Sequence, residues 1–277
     1  MAAYDAVLQA WPAPYEEVSV PTRLGPTYAI ASGPVGAPPL VLLPSFAGSA
    51  TVWRLNVAEL SRDHRVYALD VIGQPGKTVA TRAITTGRDY ADWLTDVLDG
   101  LGIGRASLVG CSFGGFIAMN QAVLMPERVD RLVLISPAGV FASQYWKLTY
   151  ATRIRAPLRN LARRLTGSRR APSMADLGAP PGDLKWAAQM AVTMAESAIC
   201  SIISPTVFGR AQLRAVRSPT LLLIGDRESL YDPHGMLQRA ASLMPALTAE
   251  IVPDADHIAA MAQPDAVSAR ILRFLDD

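Results

Sequence analysis

The segment Ser107-Leu108-Val109-Gly110-Cys111-Ser112-Phe113-Gly114-Gly115-Phe116 runs from apolar residues into a Gly-x-Ser-x-Gly pentapeptide. A second apolar segment containing alanine follows it. This is how a strand, a sharp turn and a helix are written around one exposed serine. Gly110 and Gly114 flank Ser112 where a larger side chain would collide with the neighbouring strand or helix. Such a turn forces the serine into a strained backbone conformation and lifts its hydroxyl above a sheet. Ser112 is therefore the candidate nucleophile.

Working outward, the same continuous apolar style recurs at Leu40-Val41-Leu42-Leu43, Val66-Tyr67-Ala68-Leu69, Leu132-Val133-Leu134-Ile135 and Leu221-Leu222-Leu223-Ile224. Strands buried on both faces look like this. Ala249-Glu250-Ile251-Val252 is a last, more polar example. Upstream, Glu17–Thr22 and Thr27–Ala31 alternate around Gly25-Pro26, the pattern of an antiparallel hairpin. Between the runs, Tyr90, Trp93, Leu94, Val97, Leu98 and Leu101 make one helical stripe, closed by Gly102 and Gly104. A final helix is expected from Pro264 to Leu275. Alternating strands and helices predict an α/β fold: a mostly parallel central sheet of about eight strands with helices on both faces.

One region breaks the rhythm. From Ser136 to about Ser218 there is helical periodicity interrupted by Gly and Pro, and no buried-strand signal. The reading is a core of residues 1–136 and 219–277 with a helical cap, 137–218, inserted after the sixth strand.

Composition narrows the function classes. The chain has 277 residues, 50% hydrophobic and 18% charged, with a formal net charge of +2. That charge is too small to argue for a nucleic-acid partner. Two cysteines, Cys111 and Cys200, are too few for a disulfide framework, and Cys111 reads as a small buried filler. The amino terminus lacks a basic stretch leading into an apolar one, and no apolar run is long enough for a bilayer. The expectation is a cytoplasmic protein without a membrane partner; the sequence leaves its oligomeric state open. No histidine pair has ligand spacing, no Cys-x-x-Cys occurs, and no phosphate-cradling loop is present, so neither metal nor cofactor is expected.

A serine hydroxyl needs an adjacent base, itself oriented by a third group. The chain has three histidines. His64 sits among Arg62, Asp63 and Arg65 and reads as a solvated turn residue. His234 follows Tyr231-Asp232-Pro233 and starts a helix. His257 falls just after the last strand, in Pro253-Asp254-Ala255-Asp256-His257, where a loop can reach the carboxyl edge of the sheet. It is the candidate base. The third member should be an acid following Ile224, and Asp226, Glu228 and Asp232 are all available. Any of these carboxylates could fix the imidazole tautomer and stabilise the imidazolium.

With those residues in view, the chain resembles the α/β-hydrolases over nearly its whole length, in the lidded esterase and lipase branch. The resemblance rests on Gly110–Gly114, on Asp70-Val71-Ile72-Gly73-Gln74-Pro75-Gly76, on Pro126-Glu127-Arg128-Val129, and on the order Ser…acid…His. In that family Gly-x-x-Asp follows the penultimate strand; counted from Gly225 the spacing lands on Glu228, leaving Asp226 and Asp232 as alternatives. Asp70 would be structural, and Trp53 core. The oxyanion donors implied are the backbone N–H groups of Phe46 and Phe113. The chain departs from the family in the oxyanion loop, where His-Gly-x is replaced by Pro44-Ser45-Phe46-Ala47-Gly48. Ser45 there could lend a further donor or reshape the site.

What the resemblance implies is a cofactor-free serine hydrolase cleaving a carboxylic ester through an acyl-enzyme, its substrate a small acyl compound of apolar character. The same site would also suit a thioesterase, a lactone- or lactam-forming cyclase, a C–C bond hydrolase or a perhydrolase. A ligand receptor on a hydrolase scaffold is the reading that the intact Ser, acid and His count against. In the cap, Trp186, Met190 and Met194 are candidates for an acyl pocket. Eight Lys and Arg residues between Lys147 and Arg170, with no acid from Val140 until Asp176, suggest either a solvated face or docking of an acidic carrier protein.

Overall fold

The computed structural model describes residues 2–141 and 203–277. These residues contain an eight-stranded sheet: β1 (Tyr15–Val20), β2 (Thr27–Ser32), β3 (Pro39–Leu43), β4 (Arg65–Leu69), β5 (Ala106–Cys111), β6 (Val129–Ile135), β7 (Thr220–Gly225) and β8 (Leu247–Val252). The spatial order is β1-β2-β4-β3-β5-β6-β7-β8. β1 and β2 form the antiparallel hairpin, β2 runs antiparallel to β4, and every pairing from β4 through β8 is parallel.

The apolar runs are buried on both faces because side chains alternate across a strand. Val41, Leu43, Leu108, Leu132, Leu134, Leu222 and Ile224 face one core, shared with Trp93, Leu94 and Val97 of the helix Gly87–Gly100. Leu40, Leu42, Val109, Cys111, Val133, Ile135, Leu221 and Leu223 face the other, shared with Trp53, Leu60, Val267 and Ile271. Trp53 is fully buried and Cys111 nearly so, as the sequence reading expects. A reciprocal cap starts the Gly87–Gly100 helix: Asp89 N–H donates to Thr86 Oγ1 at 3.2 Å, and Thr86 N–H to Asp89 Oδ2 at 2.9 Å. The closing helix spans Pro264–Asp276.

Topology decides where a site can form. From β3 the chain steps outward to β4, then crosses back to β5 on the other side and continues to β8. Beside such a reversal, at the carboxyl ends of the strands, the connections diverge and leave a crevice. Pro44–Gly48 follows β3 and Ser112 follows β5, so both stand at that opening.

The loop after β4 is built around Asp70, fully buried and acting as an acceptor hub. Its Oδ1 accepts from Ala50 N–H at 2.7 Å and from the Tyr4 hydroxyl at 3.1 Å; its Oδ2 accepts from Lys77 N–H at 2.6 Å. Burial nevertheless pushes its carboxyl up to about 6. Gly76, at φ +150°, lies so close that a Cβ would strike this carboxylate. Tyr4 belongs to an amino-terminal helix, Ala2–Leu8, that the sequence reading does not anticipate. Lys77 ties that helix to β1 by pairing with Asp5 at 2.7 Å and Glu17 at 2.8 Å. Asp70 is structural, as the resemblance implies.

His64 is a correction. It does lie in a turn, but it is buried rather than solvated, because the turn packs its carbonyl against Gly33, where a Cβ would overlap it. Burial lowers its imidazole from the ordinary 6.5.

Replacing Asp70 with Ala leaves the Tyr4 hydroxyl and two backbone N–H groups without their acceptor. Urea denaturation of Asp70→Ala should show a loss of about 3 kcal/mol or more.

Candidate active site

Ser112 is the junction between β5 and the helix Phe113–Leu124, at φ +49° and ψ −107°. No ordinary L-residue rests there without strain. Three contacts hold it. Ser112 N–H donates to Ile135 O at 2.8 Å, its carbonyl accepts from Ala138 N–H at 2.9 Å, and Phe116 N–H reaches the same carbonyl at 3.2 Å. The flanking glycines are required by close approach: a Cβ on Gly110 would overlap the Gly114 carbonyl, and one on Gly114 would overlap the Leu43 carbonyl. The helix therefore begins directly against the backbone at Leu43-Pro44. This brings the first-turn N–H of Phe113, which has no intrahelical acceptor, beside the Pro44–Gly48 loop. A helix N-terminus also favours negative charge.

The loops after β7 and β8 carry the other two groups, and backbone contacts lock them together. Ala255 N–H donates to Asp226 Oδ1 at 3.2 Å, and Arg227 N–H donates to Ala255 O at 2.9 Å. Gly225 permits this, since a Cβ there would overlap the Ala255 carbonyl. His257 consequently stands between Glu228 and Ser112. His257 Nδ1 lies 2.7 Å from Glu228 Oε2, and His257 Nε2 lies 2.9 Å from Ser112 Oγ.

The three acids that the sequence left open now have separate places. Glu228 alone faces the imidazole, its side chain fully shielded from solvent. Asp226 stitches the two loops. Asp232 caps the helix Pro233–Leu243 by accepting from Gly235 N–H at 2.9 Å. Burial would raise the Glu228 carboxyl. The hydrogen bond and charge of His257, with Leu230 N–H donating to Oε1 at 2.8 Å, outweigh burial and hold it below its usual range. An ionised Glu228 can only accept, so Nδ1 carries the proton and Nε2 is left to accept from the Ser112 hydroxyl.

The Pro44–Gly48 loop forms a tight turn, with Gly48 N–H donating to Ser45 O at 2.9 Å and Ala47 at φ +59°. Phe46 is half-exposed, and its ring meets Phe113 edge-on at 6.3 Å. Phe113 in turn packs against Tyr90 at 5.6 Å and Phe116 at 6.0 Å, so an aromatic wall backs Ser112. Two neighbours escaped the sequence reading. Tyr231 meets His257 edge-on at 6.5 Å, and buried Gln74 accepts from Ala47 N–H through Oε1 at 2.8 Å. The second lies inside the Asp70–Gly76 motif, where the sequence alone gives no reason to single it out. Trp186, Met190, Met194 and the basic cluster from Lys147 to Arg170 lie outside the described residues. Among the described residues no group of three or more His, Cys, Asp or Glu side chains is placed to share a metal ion, and no helix is long and apolar enough to cross a membrane.

A sequence model of the Alpha/beta hydrolase family matches residues 40–270. The chain is 34% identical to the uncharacterized carboxylesterase nap of Bacillus subtilis (strain 168), over 99% of its own length and 91% of that protein. It is also 34% identical to carboxylesterase YbfK of the same organism, over 99% and 92%. The crystal structure of naproxen esterase from Bacillus subtilis superposes with a TM-score of 0.84 at 33% identity, covering 99% of this chain and 96% of that one. A match spanning most of the chain, on a fold with this strand order and this junction at Ser112, means that the chain belongs to the α/β-hydrolase family.

Proposed function

We propose that this protein is a carboxylesterase working through Ser112, His257 and Glu228. The observation that carries the reading is the unbroken hydrogen-bonded chain from the Ser112 hydroxyl through the His257 ring to the Glu228 carboxylate. Full-length similarity to two carboxylesterases supports the choice of an ester as substrate.

Each group has one task. As Ser112 Oγ bonds to the ester carbonyl carbon, its proton passes to His257 Nε2, and Glu228 stabilises the imidazolium. The carbonyl oxygen becomes an oxyanion, received by the N–H groups of Phe46 and Phe113. Collapse breaks the bond to the alcohol, which leaves with the proton from His257. Water then adds to the acyl-enzyme by the same path, His257 taking its proton and returning one to Ser112. The half-exposed Phe46 ring gives the entering substrate an apolar wall, which favours an apolar acyl or alcohol group over a charged one.

Ser112→Ala should abolish hydrolysis of chromogenic short-chain esters, and a fluorophosphonate should label Ser112 alone; persisting turnover in that variant rejects the mechanism. Glu228→Gln should lower kcat by roughly 10⁴-fold, because the amide no longer selects the productive imidazole tautomer. Stability carries a pH signature as well. The folded Glu228 carboxyl titrates below its ordinary 4.5, so its contribution is complete above that pH and is lost as pH falls through the folded value. The stability gap between wild type and Glu228→Gln should therefore narrow on acidification below 4.5, as read by urea denaturation.

A further inference from the structure

We infer that Ser136 and Tyr231 are positioning residues for Glu228, their buried hydroxyls fixing the carboxylate that in turn orients His257. The inference rests on the esterase reading above and deepens it by naming what holds the third member of the triad.

Glu228 stands where the resemblance implies Asp, so its carboxylate hangs on one more rotatable bond and needs more to fix it. Leu230 N–H donates to Oε1 at 2.8 Å, and His257 Nδ1 meets Oε2 at 2.7 Å. An ionised carboxylate offers roughly four acceptor positions, so about two stay open after these contacts. The side chain is fully shielded, so bulk solvent does not fill them.

Two hydroxyls stand in the same enclosure. Ser136 is the first residue after β6, and its N–H donates to Leu223 O at 2.8 Å, which sets it beside the end of β7 where the Glu228 loop departs. It is fully buried at φ +43°, a conformation that glycine would hold without strain. Serine brings a hydroxyl there instead. Tyr231 lies on the Glu228 loop itself, with its ring edge-on to His257 at 6.5 Å. Ser136 Oγ and the Tyr231 hydroxyl are both buried, and neither completes a hydrogen bond among the described residues. Both nevertheless act on Glu228. Against burial, the Ser136 hydroxyl joins His257 and Leu230 N–H in holding the carboxyl below its ordinary range. Burial, followed by the Glu228 charge, pushes the Tyr231 phenol well up. The Cys111 thiol faces Glu228 from β5, and burial pushes it up to about 12. Phenol and thiol thus stay neutral, and among the described residues His257 is the partner that takes up charge. A rotatable O–H without a partner, next to a carboxylate with open acceptor positions, gains most by turning its proton there.

The test deletes each hydroxyl with and without the carboxylate. Ser136→Gly keeps the positive φ, and Tyr231→Phe keeps the ring against His257. Each should lower kcat for a chromogenic ester by roughly three- to tenfold, with KM little changed. In a Glu228→Gln background neither should cost anything further, because the hydroxyls act through the carboxylate. Urea denaturation gives a second readout. Hydroxyls that donate to the charged carboxyl lower its folded titration, so their removal raises it toward the ordinary 4.5. The stability gap opened by Glu228→Gln should then be smaller at neutral pH, and its loss below 4.5 should span a narrower range. A merely structural role would lower stability equally with or without Glu228 and leave that gap unchanged. If Ser136→Gly does not fold, Ser136→Ala takes its place with the same expectation. Wild-type kcat in either variant, a loss repeated undiminished in the Glu228→Gln background, or an unchanged gap would each overturn the inference. Failure of the esterase reading shows separately, as ester turnover that survives Ser112→Ala.

Discussion

Two backbones touch where β3 ends and the helix after β5 begins. The Leu43 carbonyl lies where a Cβ of residue 114 would be, and the Gly114 carbonyl lies where a Cβ of residue 110 would be. Only glycine allows both, and the rest of the site follows from this one approach. It drives Ser112 into its left-handed conformation and raises the hydroxyl above the strand ends. It also sets the first-turn N–H of Phe113 beside the loop that carries Phe46. A methyl group at either glycine would push Ser112 away from the loop that carries Phe46, and so from the N–H groups proposed as oxyanion donors.

The other half of the site is positioned from the opposite direction. β7 and β8 end side by side, and Asp226, Arg227 and Ala255 exchange hydrogen bonds that hold their loops as one unit. Glu228 and His257 are thus fixed relative to each other before any contact with Ser112. The low-lying titration of Glu228 is the electrostatic trace of that arrangement: a carboxylate removed from water remains charged because an imidazole and a backbone N–H compensate its burial.

Between these halves, the segment from Asp70 to Lys77 acts as a brace. Its side-chain oxygens take backbone N–H groups from the loop after β3, at Ala47 through Gln74 and at Ala50 through Asp70. The amino-terminal helix adds the Tyr4 hydroxyl to the same buried carboxylate. The strained turn at Ala47 is therefore supported from behind, by the buried side chains of Gln74 and Asp70.

The linear chain was enough to determine the sheet and the sharp turn that carries Ser112. Both are written in local terms: continuous apolar runs for strands buried on two faces, and glycines spaced around one serine for a turn that only they permit. It also singled out His257 as the candidate base, since a loop after the last strand can reach the sheet's carboxyl edge. Other features depended on partners distant in sequence. Asp226, Glu228 and Asp232 are chemically equivalent as text, and only the stitching of two loops gives each its separate post. His64 looked solvated beside charged neighbours, until packing against Gly33 buried it. Gln74 carried no signal, because its meaning is a hydrogen bond to a backbone 27 residues away whose unusual turn exists only once the fold has formed. Spacing along the chain records which backbone shapes are permitted, whereas burial and hydrogen-bond pairing are set by tertiary contact.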